Sequence, residues 1–205
     1  LLTGELPNKE ELADLQADLQ SRQDVPTYVW NVLNEMPSDS HPMAMFNSAI
    51  LVMQRESKFA KNYNDITKAE YWEYTLEDSL DIIAKLPAIA AFVYRKRFDK
   101  GARIDAKPGA DLGENFAHML GLNDEKGNFA NLMRLYLTLH SDHEGGNVSA
   151  FSAATVNSAL SDMYYSLTAG LNGLAGPLHG LANQECLKWV LETMEKFDGA
   201  PTEEQ

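Results

Sequence analysis

Apolar positions recur with a helical period along nearly the whole chain, and strict apolar–polar alternation over strand lengths is hard to find. The chain therefore reads as all-α. Asn8 with Glu11 three residues later has the form of a capping box, and Leu12, Leu15 and Leu19 follow at helical spacing; that helix should end before Pro26. Val29, Val32, Leu33 and Met36 mark a second helix. Met43, Phe46, Ile50 and Met53 mark a third, after Pro42, with a short turn at residues 37–40 between the two. Thr67 and Glu70 make another capping-box pair ahead of a run through Leu76, Leu80, Ile83 and Leu86, which Pro87 should kink or break. The pattern goes on through Ile89 and Val93 to the basic cluster Arg95-Lys96-Arg97. Its simplest reading is a helix end whose cations offset the carboxyl-terminal partial charge, with a phosphate-facing role as the alternative. Residues 99–112, rich in Gly, Pro and Asp, read as a loop.

The character changes from Gly113 onward. Helices are expected at about 113–120, 129–140, 147–160, 163–174 and 180–197. Small residues crowd the later ones: Ala150, Ser152, Ala153 and Ala154, then Ser166, Ala169, Gly170 and Gly173. Small side chains let helix backbones approach closely, which suits a deep core or a tight subunit interface better than a solvated face. The run Gly176-Pro177-Leu178-His179-Gly180 offers a hinge, so a domain boundary is expected near Leu178 to Leu181. No repeat of solenoid length is present.

Composition narrows the class of function. The 205 residues are 44% hydrophobic and 23% charged, ordinary for a globular protein and long enough for one large domain with a real core. Thirty acidic against seventeen basic residues give a formal charge of -13, which disfavours nucleic acid and anionic membranes. An anionic substrate is still allowed if basic groups converge locally. The single Cys186 cannot form an internal disulfide and fits a reducing compartment. No apolar run reaches the roughly 18 residues of a membrane span. The N-terminus shows neither a secretory h-region nor a basic transit sequence. Because the chain starts Leu1-Leu2-Thr3 and stops at Glu203-Glu204-Gln205, it reads as a piece of a longer protein, and missing targeting signals carry little weight.

Three of the five histidines, His140, His143 and His179, fall in the most glycine-rich third. His41, before Pro42, and His118, beside Met119, read as capping or core residues. The run His140-Ser141-Asp142-His143-Glu144-Gly145-Gly146-Asn147 is more specific: it leaves a helix end, sets two imidazoles three apart and adds two glycines that permit close approach of a ligand. Asn147 can cap the next helix or donate an amide to a carboxylate. A metal site using His140, His143 and Asp142 or Glu144 is the rival reading, although the spacing is not that of His-Glu-x-x-His metalloproteases. His179, just before an expected helix, sits where the positive helix end disfavours imidazolium; a neutral imidazole there can polarise a carbonyl and stabilise an enolate. The bland alternative is a histidine that packs the turn. Covalent catalysis has little support, since Cys186 falls in an apolar helix and no Gly-x-Ser-x-Gly elbow occurs. Phosphate-loop and dinucleotide fingerprints are also missing. Between Arg134 and Lys188 the chain has no lysine or arginine, so the cations that an anionic ligand requires must come from elsewhere.

These residues carry a resemblance. Leu132-Met133-Arg134-Leu135-Tyr136 leading into His140-Ser141-Asp142-His143-Glu144-Gly145-Gly146-Asn147-Val148-Ser149-Ala150, and Leu171-Asn172-Gly173-Leu174-Ala175-Gly176-Pro177-Leu178-His179-Gly180-Leu181-Ala182-Asn183-Gln184-Glu185, closely resemble the citrate synthases of eukaryotic mitochondria. Weaker agreement, including His41-Pro42-Met43 and Ala84-Lys85-Leu86-Pro87, extends over essentially the whole chain, which corresponds to a central fragment.

The resemblance implies an all-α homodimer with a large domain, of which residues 1–179 would be part, and a smaller domain starting at residues 180–205. It implies condensation of acetyl-CoA with oxaloacetate and water to citrate and CoA, without a metal or redox cofactor, in the mitochondrial matrix. His179 would hydrogen-bond the thioester carbonyl and His143 would hold oxaloacetate. Asn147 and Ser149 would line the site, Ser149 orienting His179. The family's second catalytic histidine, in Gly-Tyr-Gly-His, and its aspartate base are not in this sequence. 2-Methylcitrate synthase and a non-catalytic structural homologue are the alternatives.

Overall fold

The computed structural model describes residues 4–142, 144–197, 199–200 and 202. Regular structure among the described residues consists of helices only, in agreement with the all-α expectation. Helix α1 (Lys9–Arg22) begins at Asn8 with both halves of the capping box: the Asn8 side chain accepts from Glu10 N and Glu11 N, and the Glu11 carboxylate accepts from Asn8 N at 2.8 Å. Its leucines bury little, and polar ties hold it in place. The Arg22 guanidinium donates to Asp18, Glu77 and Asp81 at 2.8–2.9 Å. Helix α2 (Thr27–Glu35) buries Val29 and Leu33. Helix α3 (Pro42–Val52) starts at His41, whose Nδ1 accepts from Met43 N at 3.2 Å, so this histidine is the cap its place before Pro42 suggested.

A 3-10 turn (Met53–Glu56) and the short α4 (Lys58–Asn62) follow; both are too brief to leave a period in the sequence. Two expectations are corrected in α5 (Tyr71–Arg97). The Glu70 carboxylate does bond Thr67, through its N at 2.8 Å and Oγ1 at 2.7 Å, but this closes a turn ahead of the helix. Glu70 is itself the N-cap and contributes no side-chain cap. Nor does Pro87 end the helix, which runs through it. Ile82 and Ala84 before Pro87 and Ile89 and Ala91 after it are all buried, so packing grips both halves and outweighs a penalty of about 3 kcal/mol.

At the end of α5 two residues of the basic cluster bond carbonyls of other segments and not those of α5's own last turn. Arg95 donates to Ala102 O at 2.7 Å, to Leu120 O at 3.0 Å and to Lys100 O, while Lys96 Nζ donates to Asn34 O at 2.9 Å. Helix α6 (Leu112–Leu120) opens at Asp111, as the loop over 99–112 required, and closes at Gly121 with φ 77°. A side chain at Gly121 would collide with the Arg95 guanidinium. His118, expected in the core, is exposed, because Ala117, Met119 and Leu120 form the buried face of α6.

Helices α7 (Asn128–Leu139), α8 (Val148–Asn157), α9 (Met163–Leu174) and α10 (Ala182–Lys196) complete the chain. The main core joins α2, α3, α5 and α9 through Leu33, Met45, Ile50, Ile89 and Tyr164. Helix α9 thus has its inner face in the core and packs α8 against its other side. Helix α10 buries no residue and touches the other helices at most marginally, so Cys186 is exposed and not in an apolar interior. Among the described residues no helix is long and apolar enough to cross a membrane.

Candidate functional site

Two segments thirty residues apart meet at one hydrogen bond. Asn147 is the N-cap of α8, its Oδ1 accepting from Ala150 N at 2.9 Å, as a residue of this type before a helix should. Its amide nitrogen donates to Glu144 O. Ser149, in the first turn of α8, places its Oγ 2.7 Å from His179 Nε2 and 2.7 Å from Asn147 Oδ1. His179 lies in the turn between α9 and α10, its N donating to Gly176 O at 3.0 Å and its carbonyl accepting from Ala182 N at 3.1 Å. It therefore precedes the first turn of α10, as expected, and is half-buried.

The proton count ties the serine to the tautomer of the histidine. Asn147 Oδ1 is an acceptor, because Ala150 N–H points at it, and Ser149 has one proton to give. When that proton goes to Asn147, His179 Nε2 must carry a hydrogen and donate to Ser149. When the hydroxyl turns to Nε2 instead, a neutral ring carries its proton on Nδ1 and can donate from there. The proton position on the imidazole is thus coupled to the rotation of the Ser149 hydroxyl.

Helix α9 carries this pair on the core. Asn47 of α3 donates to Thr168 O at 3.3 Å and to Asn172 Oδ1 at 2.7 Å, pinning α9 just ahead of the His179 turn. Asn47 gave no signal in the sequence, since its partners lie more than a hundred residues away. On the side facing α8, a Cβ at Gly170 would stand 2.9 Å from Ser149 O, and one at Gly173 would stand 2.7 Å from Val148 Cγ1. The small residues of α9 therefore do allow close helix approach.

Other candidates fall elsewhere. His140 donates from Nδ1 to Tyr136 O at 2.9 Å and stacks on the Tyr136 ring at 4.0 Å, so it packs the end of α7. His143 lies outside the described residues. Among the described residues no group of three His, Cys, Asp or Glu side chains is arranged to hold a metal ion. A cavity of about 340 Å³, lined in part by Leu12, Leu15, Leu19, Ala84 and Leu137, includes neither Ser149 nor His179. Arg134 at its edge is paired with Asp111 at 2.8 Å and with Asn131 Oδ1 at 2.6 Å.

Comparison with known proteins covers nearly the whole chain. Residues 1–202 match the family model described as "Citrate synthase, C-terminal domain". The chain is 52% identical to the peroxisomal citrate synthase of Saccharomyces cerevisiae over 97% of its length and 43% of that protein. It is also 52% identical to the mitochondrial citrate synthase of that yeast, over 97% of its length and 41% of that protein. The chain thus spans about two fifths of the curated relatives it matches. The citrate synthase of Thermoplasma acidophilum, solved as a ternary complex with carboxymethyl coenzyme A and oxaloacetate, superposes with a TM-score of 0.72 at 28% identity, covering 87% of this chain and 44% of that one.

Proposed function

We propose that this chain, which belongs to the citrate synthase family, supplies part of the active site of an enzyme that condenses acetyl-CoA with oxaloacetate and water to give citrate and CoA. The single observation that carries the reading is the Ser149–His179 hydrogen bond, which joins the two long sequence motifs at their chemically competent residues. A histidine so oriented can polarise the thioester carbonyl while a carboxylate from outside these 205 residues takes a proton from the methyl carbon. The resulting enol carbon forms a bond to the keto carbon of oxaloacetate, whose oxygen gains a proton. Water then cleaves the thioester of citryl-CoA and releases CoA. His143 holds oxaloacetate and Asn147 lines the site.

The quaternary and domain arrangement belongs to the same reading. A homodimer agrees with the apolar side chains exposed on α7 and α8, among them Leu135, Leu139 and Phe151. Residues 180–205 start a second, smaller domain, in keeping with an α10 that buries nothing. Placement in the mitochondrial matrix follows the eukaryotic mitochondrial character of the motifs; since a peroxisomal relative is equally similar, localisation of the tagged complete protein decides it.

The test is CoA release by the complete gene product with oxaloacetate, supplying acetyl-CoA or propionyl-CoA. Faster turnover of acetyl-CoA is expected, and a preference for propionyl-CoA would move the assignment to 2-methylcitrate synthesis. His179→Ala should lower kcat by about 10²–10⁴-fold, the usual worth of an acid–base or oxyanion partner. His143→Ala should chiefly raise the KM for oxaloacetate. Release with neither thioester, or unaltered kinetics in both variants, would overturn the reading. The 205 residues alone should not turn over.

A further inference from the structure

Ser149 can meet His179 only if the first turn of α8 lies hard against α9, and that approach depends on Gly170. A methyl group at Gly170 would stand 2.9 Å from Ser149 O and 3.2 Å from Ala153 Cβ. The first of these is backbone and cannot rotate away. To restore ordinary contact, α8 would have to retreat by roughly half an ångström at the residue whose hydroxyl orients His179. Gly173, one turn further along, makes a different contact: a methyl there would meet Val148 Cγ1 at 2.7 Å, while the Val148 backbone stays at 3.4 Å. Val148 is 57% exposed, so its isopropyl group has room to turn. Two glycines on one helix face thus differ in what a side chain would displace.

We infer that Gly170 is a positioning residue for His179, acting through the backbone of Ser149 to set the length of the Ser149–His179 hydrogen bond, whereas Gly173 serves only the fit of the two helices. The inference rests on the proposed role of His179 as the group that polarises the thioester carbonyl.

A double-mutant cycle on the complete gene product tests it. Gly170→Ala should lower kcat about tenfold, since displacements below an ångström at a reacting group cost up to about a hundredfold. It should also shift the pH dependence of kcat/KM. In a Ser149→Ala background the same substitution should change kcat by less than about twofold, because no hydroxyl is left to misplace. Gly173→Ala should stay within about twofold of wild type in either background. A purely structural Gly170 would lower the melting temperature without moving the pH profile, and would cost as much in Ser149→Ala as in wild type; either result overturns the inference. If Gly170→Ala alone yields no folded protein, the cycle is run with Ala153→Gly, which removes the side-chain collision and keeps the one with Ser149 O. Should His179→Ala itself leave turnover unchanged, the functional reading fails and not merely this inference.

Discussion

Asp78 on α5 and His179 after α9 are both held by a serine hydroxyl, yet their surroundings differ. Asp78 has no exposed surface and accepts from Ser57 Oγ at 2.6 Å, Lys58 N at 2.7 Å and Phe59 N at 3.4 Å. Burial pushes its carboxyl above the usual range, against the pull of these three donors, and the charge of Asp162 pushes the same way. His179 is half-buried in a turn, with one ring nitrogen on Ser149. Around Asp78 the helices α2, α3, α5 and α9 close a core that the chain makes alone. Beside His179 the helices α8 and α10 leave Phe151, Trp189 and Leu191 at the surface. The contrast teaches that the serine-held carboxylate of the first region serves stability, enclosed in the core with three donors, whereas the serine-held imidazole of the second lies in a half-buried turn next to helices whose apolar side chains remain uncovered.

Substitution at the two polar centres should separate the regions. His179→Ala, besides its loss of turnover, should leave the melting temperature within a degree or two of wild type; a large drop would make His179 a structural residue. Asp78→Ala should do the reverse, destabilising by about 3 kcal/mol, because Ser57 Oγ and the two amides lose a buried charged acceptor. Thermal unfolding of the complete protein measures this, and an effect below about 1 kcal/mol would show that water replaces the carboxylate.

Arg22→Ala should cost about 1–2 kcal/mol at neutral pH by releasing α1 from α5, given a guanidinium 17% exposed among three carboxylates. The same tie predicts a pH window. Hydrogen bonds from Arg22 and Lys58 hold the Glu77 carboxyl down at about 2. A depressed folded value means that the stabilisation is present above the unfolded value near 4 and is lost as pH falls towards about 2. The wild type should therefore lose more stability than Arg22→Ala between those limits, and equal losses would remove the pairing as the cause. The smallest effect is expected on α10, where Trp189 is 65% exposed. Trp189→Ser should shift the unfolding free energy of the 205-residue chain by less than about 0.5 kcal/mol; a cost above about 1 kcal/mol would mean that α10 packs after all.

Much of the fold was legible because it is local. The Asn8–Glu11 box, the His41–Pro42 start, the Asn147 cap and the five helices from residue 113 onward depend on residues within a turn or two of one another, a range at which side-chain and backbone geometry act directly. The errors have the opposite origin. Pro87 lies inside a continuous helix because distant residues pack both sides of it. His118 faces solvent because its neighbours take the buried face. Helix α10, read as apolar around Cys186, buries no residue because the other helices touch it at most marginally.

For the site, the sequence by itself determined which side chains have the chemistry and which motifs carry the family resemblance, since residue type and spacing are properties of the chain. The resemblance already implied that Ser149 orients His179, and the tertiary structure supplied the 2.7 Å contact; only the tertiary structure decided that Asn47 pins α9 from α3 and that the backbone at Gly170 leaves room for no side chain. Those contacts join segments far apart in sequence. Their distances are set by the packing of α8 and α3 on opposite sides of α9, which no local pattern encodes.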